Sequence, residues 1–148
     1  ALTEDAARRA PGRVVFPGFL NQSEIGAAYR AADVHVLAST HETWGLVVNE
    51  SLNFGCAQIV SDMVGCAPDL VAGKTGEVFP SGDKAALISI LGTLNTDPVK
   101  WQRHRDAAPD ILGTYSIEGF VNGVRAALGL GPADARKNTS ANREKVAA

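Results

Sequence analysis

The chain has 148 residues, 45% of them hydrophobic and 20% charged, with a formal net charge of -2. Those figures suit one ordinary globular domain large enough to bury a core, and give no electrostatic case for nucleic acid or for a basic membrane patch. Two cysteines (Cys56, Cys66) and three scattered histidines make neither a disulfide framework nor zinc spacing, and no apolar run or signal peptide marks a membrane or export route, so the sequence reads as a reduced cytoplasmic protein.

Ala1 to Ala10 reads as the end of a helix, stopped by Pro11-Gly12. A chain that opens inside a helical pattern is expected to be a piece of a longer one. Val14-Val15-Phe16 reads as a short buried strand closed by Pro17-Gly18. Asn21 with Glu24 three residues on has the form of a capping box, and Ile25, Ala28, Tyr29 and Ala32 give the helix that follows its inner face. Val34 to Leu37 is the second strand. A polar loop, Ser39-Thr40-His41, leads from it into a helix beginning near Thr43. On that helix Val47, Val48, Ser51, Leu52 and Gly55 share one side, and Leu46, Asn49, Glu50 and Asn53 the other.

Ile59 to Ser61 is the third strand, Met63 to Pro68 a loop, and Asp69 to Val71 a brief helical turn. Gly76 to Phe79 is the fourth strand. Asp83 caps a helix containing Ala86, Leu87, Ile90 and Leu91. Asp97-Pro98 opens another that runs to about Ala107. Ile117, Phe120, Val121, Val124 and Leu128 form the apolar stripe of a last helix, with Ser116 near its start. From Gly131 onward large apolar residues vanish apart from Val146, so residues 1–130 are expected to form the domain and 131–148 a structureless tail.

Strands alternating with helices, each strand nearly all apolar, predict an α/β, Rossmann-like fold: a parallel sheet with helices on both faces. Such sheets bind ligands at the carboxyl ends of their strands, where the loop with Glu42 lies. A helix start there offers unpaired amides and a positive dipole end, suited to phosphate. Glu50 lies about 12 Å further along a continuous helix axis, so the two carboxylates cannot share a proton or a metal. They suit the two ends of one elongated, hydroxyl-rich ligand, and a nucleotide sugar has that shape.

The stretch Glu42-Thr43-Trp44-Gly45-Leu46-Val47-Val48-Asn49-Glu50 holds two glutamates separated by seven residues, with an aromatic-Gly pair between them. After it come Ser51-Leu52-Asn53-Phe54-Gly55, Ile59-Val60-Ser61-Asp62, Val64-Gly65, Asp69-Leu70-Val71, Gly73, Thr75-Gly76 and Phe79-Pro80-Ser81-Gly82-Asp83. The ordered set resembles the retaining glycosyltransferases of the GT-B fold (glycosyl transferases group 1, family 4) from about Val14 to Leu128. The resemblance implies the nucleotide-sugar-binding half of that fold. It implies that Glu42 is the catalytic residue beside the donor sugar, holding hydroxyls and stabilising positive charge at the anomeric carbon. Glu50 is then the acceptor of ribose hydroxyls, Thr43, Trp44, Gly45 and Leu46 line the phosphate or sugar, and Gly18 and Phe19 contact the nucleobase through backbone. Transfer is expected by front-face attack with the leaving phosphate helping to deprotonate the acceptor.

Each residue also has a plainer reading. Glu50 suits a solvated helix flank, Glu42 a loop carboxylate stabilised by a helix dipole, and the Trp44 side chain packing beneath its loop. His35 reads as a satisfied core histidine, and His41 has no metal or triad spacing. His104, among Lys100, Arg103 and Arg105, reads as surface. No Asp-x-Asp offers a metal holder, in line with the metal independence of GT-B enzymes, so the expected ligand is a UDP-, GDP- or ADP-linked sugar without metal or cofactor. No Gly-x-Gly-x-x-Gly follows a strand, which argues against a dinucleotide dehydrogenase.

The sequence departs from the family in three respects. It carries no N-terminal acceptor domain. It lacks the two first strand–helix units of the donor domain, with their pyrophosphate-neutralising Arg and Lys. Ala57 stands for the usual Pro, and Cys66 and Asp69 for the usual Gly and Glu. The expectation is a catalytically silent fragment of a bacterial enzyme acting on a lipid-linked or polysaccharide acceptor, peripheral to the inner membrane face when whole. The missing strands would lie between the first strand here and the other three, so Val14–Phe16 is expected to move beside Val34–Leu37 or to be completed by another chain through the open sheet edge. The rival functions are a GT-B sugar-nucleotide epimerase and a non-catalytic interaction module of this fold.

Overall fold

A computed structural model describes residues 2–131; the tail expectation, residues 132–148 of it, lies outside the described residues. Three parallel strands form the sheet: β1 (Val34–Leu37), β2 (Ala57–Ser61) and β3 (Gly76–Phe79), in the order β1-β2-β3. Among the described residues seven helices accompany them: α1 (Leu2–Arg9), α2 (Gln22–Arg30), α3 (Leu46–Asn53), α4 (Lys84–Thr96), α5 (Pro98–Asp106), α6 (Ala108–Thr114) and α7 (Ile117–Ala127). A single wide π-type turn, Ala67–Val71, stands between β2 and β3.

The central strand is buried along its whole length, and its alternation divides the core in two. Val60 packs with Val48 and Leu52 of α3, Leu70 and Val71 of the π-turn and Ala108 of α6. On the other face Ala57 and Ile59 pack with Phe79 and Trp101, covered by Ala86, Leu87, Ile90 and Leu94 of α4. Helices therefore cover both faces, as the continuous apolar strands predict. The start signals hold: Asn21 and Glu24 form both halves of the capping box, and Asp83, Asp97 and Ser116 cap α4, α5 and α7.

Four expectations are corrected. Val14-Val15-Phe16 is not a strand; it is irregular chain, with Val15 81% exposed, and it does not move beside β1. An extended triplet becomes a strand only when a neighbour takes its hydrogen bonds, and its apolar composition does not supply one. Gly26, not Ala28, joins Tyr29 on the inner face of α2, because Phe54 sits so close that a side chain at 26 would overlap it. The helix expected to end at about Ala107 is followed at once by another over 108–114, which the sequence analysis did not place, because proline in a first turn opens a new helix. Finally, His104 is buried rather than on the surface, bonded through Nδ1 to the Lys74 carbonyl (2.8 Å) and through Nε2 to Glu77 (3.2 Å).

Candidate functional site

The loop leaving β1 does not turn directly into a helix. Its backbone is first tied to the loop leaving β2: Glu42 N–H donates to Met63 O (3.1 Å), Gly65 N–H to Glu42 O (2.9 Å) and Cys66 N–H to Trp44 O (2.9 Å). These bonds make a parallel bridge between Glu42 and Val64 that prolongs the β1–β2 ladder. Because Glu42 to Trp44 is committed to that bridge, α3 starts at Leu46 rather than near Thr43. Gly45, at φ +96°, makes the turn between them, and a side chain there would press on Val64 Cγ1 at 3.0 Å. Glycine as N-cap offers no side-chain acceptor, so no side chain caps the first turn of α3. Its leading amides are left for water or an anionic ligand.

Glu42, partly buried, stands before this helix start, and exposed Thr43 and Leu46 border it. The Trp44 indole is engaged by the protein: Nε1 donates to Asn49 Oδ1 (3.3 Å) and the ring lies 6.2 Å from that of Tyr115. Tyr115 in turn donates to Asp69 Oδ1 (3.1 Å), linking the segment between α6 and α7 to the π-turn and the Trp44 loop. Glu50 lies on the next turn of α3 and lines a cleft of about 450 Å³ with Leu20, Ile25, Tyr29, Asn53 and Phe54. Gly18 (φ +75°) and Phe19 (92% exposed) immediately precede Leu20 in the wall of that cleft.

The structure thus brings Glu42, Thr43, Trp44, Gly45 and Leu46 together at the start of α3. It places Glu50 with the end of the Gly18–Leu20 loop one turn later, and Glu42 is not in the lining of the Glu50 cleft. Sequence reasoning took Tyr29 only as an inner-face residue and passed over Asn53 as a cleft residue. A tyrosine on an otherwise apolar helix face is the signal that could have found the first, since a buried hydroxyl requires a partner. His35 behaves as read, its Nδ1 paired with Gln58 Oε1 at 2.9 Å, and His41 is exposed. Among the described residues no three His, Cys, Asp or Glu side chains are grouped to hold a metal, and no helix is long and apolar enough to cross a membrane.

Both cysteines are free and buried. Burial pushes the Cys66 thiol up to about 11, and the nearby Asp69 and Glu42 carboxylates push the same way. A thiol with a raised folded value lends stability that is complete below pH 9 and is lost as pH climbs through 11. Cys66→Ala removes this titration. Denaturant unfolding from pH 8 to 11 is expected to fall less steeply for the variant, by on the order of 2 kcal/mol across that range. Parallel curves for the two proteins would show that Cys66 does not titrate there.

Comparison with known proteins adds to this geometry. Residues 3–109 match the family model described as Glycosyl transferases group 1. The sulfoquinovosyl transferase SQD2 of Arabidopsis thaliana is 39% identical over 87 residues, 56% of this chain and 17% of that protein. The phosphatidyl-myo-inositol mannosyltransferase of Mycobacterium leprae is 29% identical over 117 residues, 76% of this chain and 31% of that protein. Among solved structures, the C-terminal domain of a glycosyl transferase group 1 family protein (LpcC) from Francisella tularensis superposes with a TM-score of 0.68 at 26% identity, covering 78% of this chain and 61% of that one. The chain therefore spans less than a third of the length of either of these curated relatives.

Proposed function

From a chain that belongs to the glycosyl transferases group 1 family, we propose the donor-binding half of a retaining glycosyltransferase, which moves a sugar from a nucleotide sugar to an acceptor. The observation that carries this reading is the course of the chain around α3. An acid fixed by a backbone bridge, a glycine-capped helix start and a second acid in a cleft follow one another at the carboxyl ends of parallel strands. The pyrophosphate of the donor meets the amides at the start of α3, Glu50 accepts the ribose hydroxyls, and Gly18 and Phe19 flank the nucleobase. Glu42 stands beside the sugar and favours the positive charge that grows at the anomeric carbon as its bond to phosphate breaks. The acceptor oxygen bonds to the same face of that carbon, and its proton passes to the departing phosphate.

The acceptor is held by a further domain, so turnover needs more than this chain, and without the Arg and Lys of the family's first strand–helix units the donor is held weakly. Titration calorimetry with UDP-, GDP- and ADP-sugars tests the assignment. Glu50→Ala is expected to weaken the preferred donor roughly 10- to 100-fold, the loss of a charged acceptor facing two hydroxyls. Unchanged affinity would refute the role of Glu50. A protein whose thermal midpoint none of these donors raises, even in large excess, would be an interaction module instead.

A further inference from the structure

We propose that Tyr29 is the positioning residue for Glu50: its hydroxyl, reaching the cleft from α2, holds the carboxylate in the orientation that accepts ribose hydroxyls. The inference rests on the donor-site reading of Glu50 and adds to it a residue from α2, the helix that precedes β1. Tyr29 is only 9% exposed and is gripped on several sides. Its ring stacks on Phe54 with centroids 5.8 Å apart and an interplanar angle of 27°, and meets His35 edge-on at 5.9 Å. Its carbonyl accepts the Cys56 thiol at 3.1 Å. The two ring neighbours are themselves held. Phe54 closes the C-terminal end of the helix that carries Glu50. His35 bonds to Gln58 Oε1, which also accepts Ser51 Oγ at 3.1 Å from that same helix.

All of this packing would be served equally by phenylalanine. What phenylalanine could not supply is the hydroxyl, and the ionised side chain that shares the cleft wall with it is Glu50. Burial, and after it the charge and hydrogen bond of Glu50, push the Tyr29 hydroxyl above its ordinary value, so it stays a donor throughout the neutral range. An exposed glutamate samples many rotamers, and ordering it on binding costs affinity. A rigid donor that occupies one lone pair settles that order beforehand and leaves the remaining lone pairs for the ligand.

The variant Tyr29→Phe keeps the ring and removes the hydroxyl alone. Wild type, Tyr29→Phe, Glu50→Ala and the double variant are titrated with UDP, GDP and ADP and with their 2′,3′-dideoxy counterparts, and the thermal midpoint of each is recorded. For the tightest ribonucleotide, Tyr29→Phe is expected to raise Kd about five- to tenfold, in the range of one hydrogen bond to a charged group. The dideoxy ligand should lose less than twofold, and the double variant should bind no more weakly than Glu50→Ala. Equal losses for ribo and dideoxy ligands, or losses that add in the double variant, would overturn the positioning role and leave Tyr29 as packing. If Glu50→Ala itself costs nothing, the donor-site reading fails and this inference falls with it, an outcome distinct from a silent Tyr29→Phe beside a damaging Glu50→Ala.

Discussion

Gly65→Ala is expected to destabilise the fold by roughly 3 kcal/mol or more and to abolish donor binding in what remains folded. A Cβ on residue 65 would lie 1.9 Å from the Thr43 carbonyl oxygen and 2.8 Å from its carbon, deep inside contact distance. The obstacle is backbone, so no side-chain rotation relieves it. Moving the chain apart at that point breaks the bond from Gly65 N–H to Glu42 O and the next, from Cys66 N–H to Trp44 O. Those bonds join the loop after β1 to the loop after β2 and set where Glu42 stands. Strain and loss of site therefore arrive together, whichever way the chain yields. Thermal unfolding should show a drop on the order of 10 °C. A Gly65→Ala protein with the wild-type midpoint and wild-type nucleotide affinity would mean that the two loops are not tied in this way.

That bridge also shows where sequence reasoning stopped short. Apolar periodicity and caps are local signals, and they located Val34–Leu37, Gly76–Phe79 and the starts of α2, α4, α5 and α7. The start of α3 was missed by three residues because Glu42 and Trp44 are drawn into pairing with residues more than twenty positions away, a contact without a local signature. Val14–Phe16 failed for the converse reason: it has the composition of a strand and no neighbour beside it. At the site, the acids and glycines of 42–50 were legible as a motif. Tyr29 was not, because its ring obeys the apolar face of α2 while its hydroxyl answers to Glu50, a residue beyond β1.

His104 belongs to the same class of error, and its neighbour Trp101 gives the second large effect. Trp101→Ala is expected to cost about 3–5 kcal/mol, the range for removing a buried aromatic side chain. Trp101 is 4% exposed and fills the sheet face opposite α3, against Ala57, Ile59 and Phe79. Its indole N–H donates to Thr93 Oγ1 at 3.0 Å, so truncation leaves a cavity and takes a donor from a hydroxyl that keeps only its own bond to Ile90 O (2.7 Å). It also removes the ring beside His104, 5.5 Å away, whose bonds to Glu77 and the Lys74 carbonyl fasten α5 to β3. Lys100, paired with Glu77 at 2.8 Å, would be loosened with them. The charged residues of α5 thus hide an inward edge made of Trp101 and His104, which an average over the helix conceals. Trp101→Phe, retaining most of the buried area and losing the hydrogen bond, should cost about 1–2 kcal/mol. Because the residue lies across the sheet from α3, the folded fraction of Trp101→Ala should bind nucleotide with unaltered Kd while its denaturant midpoint falls. A loss below about 1 kcal/mol would show that α5 is not seated on the sheet through this ring. A weakened Kd would show that the two faces of the sheet are coupled.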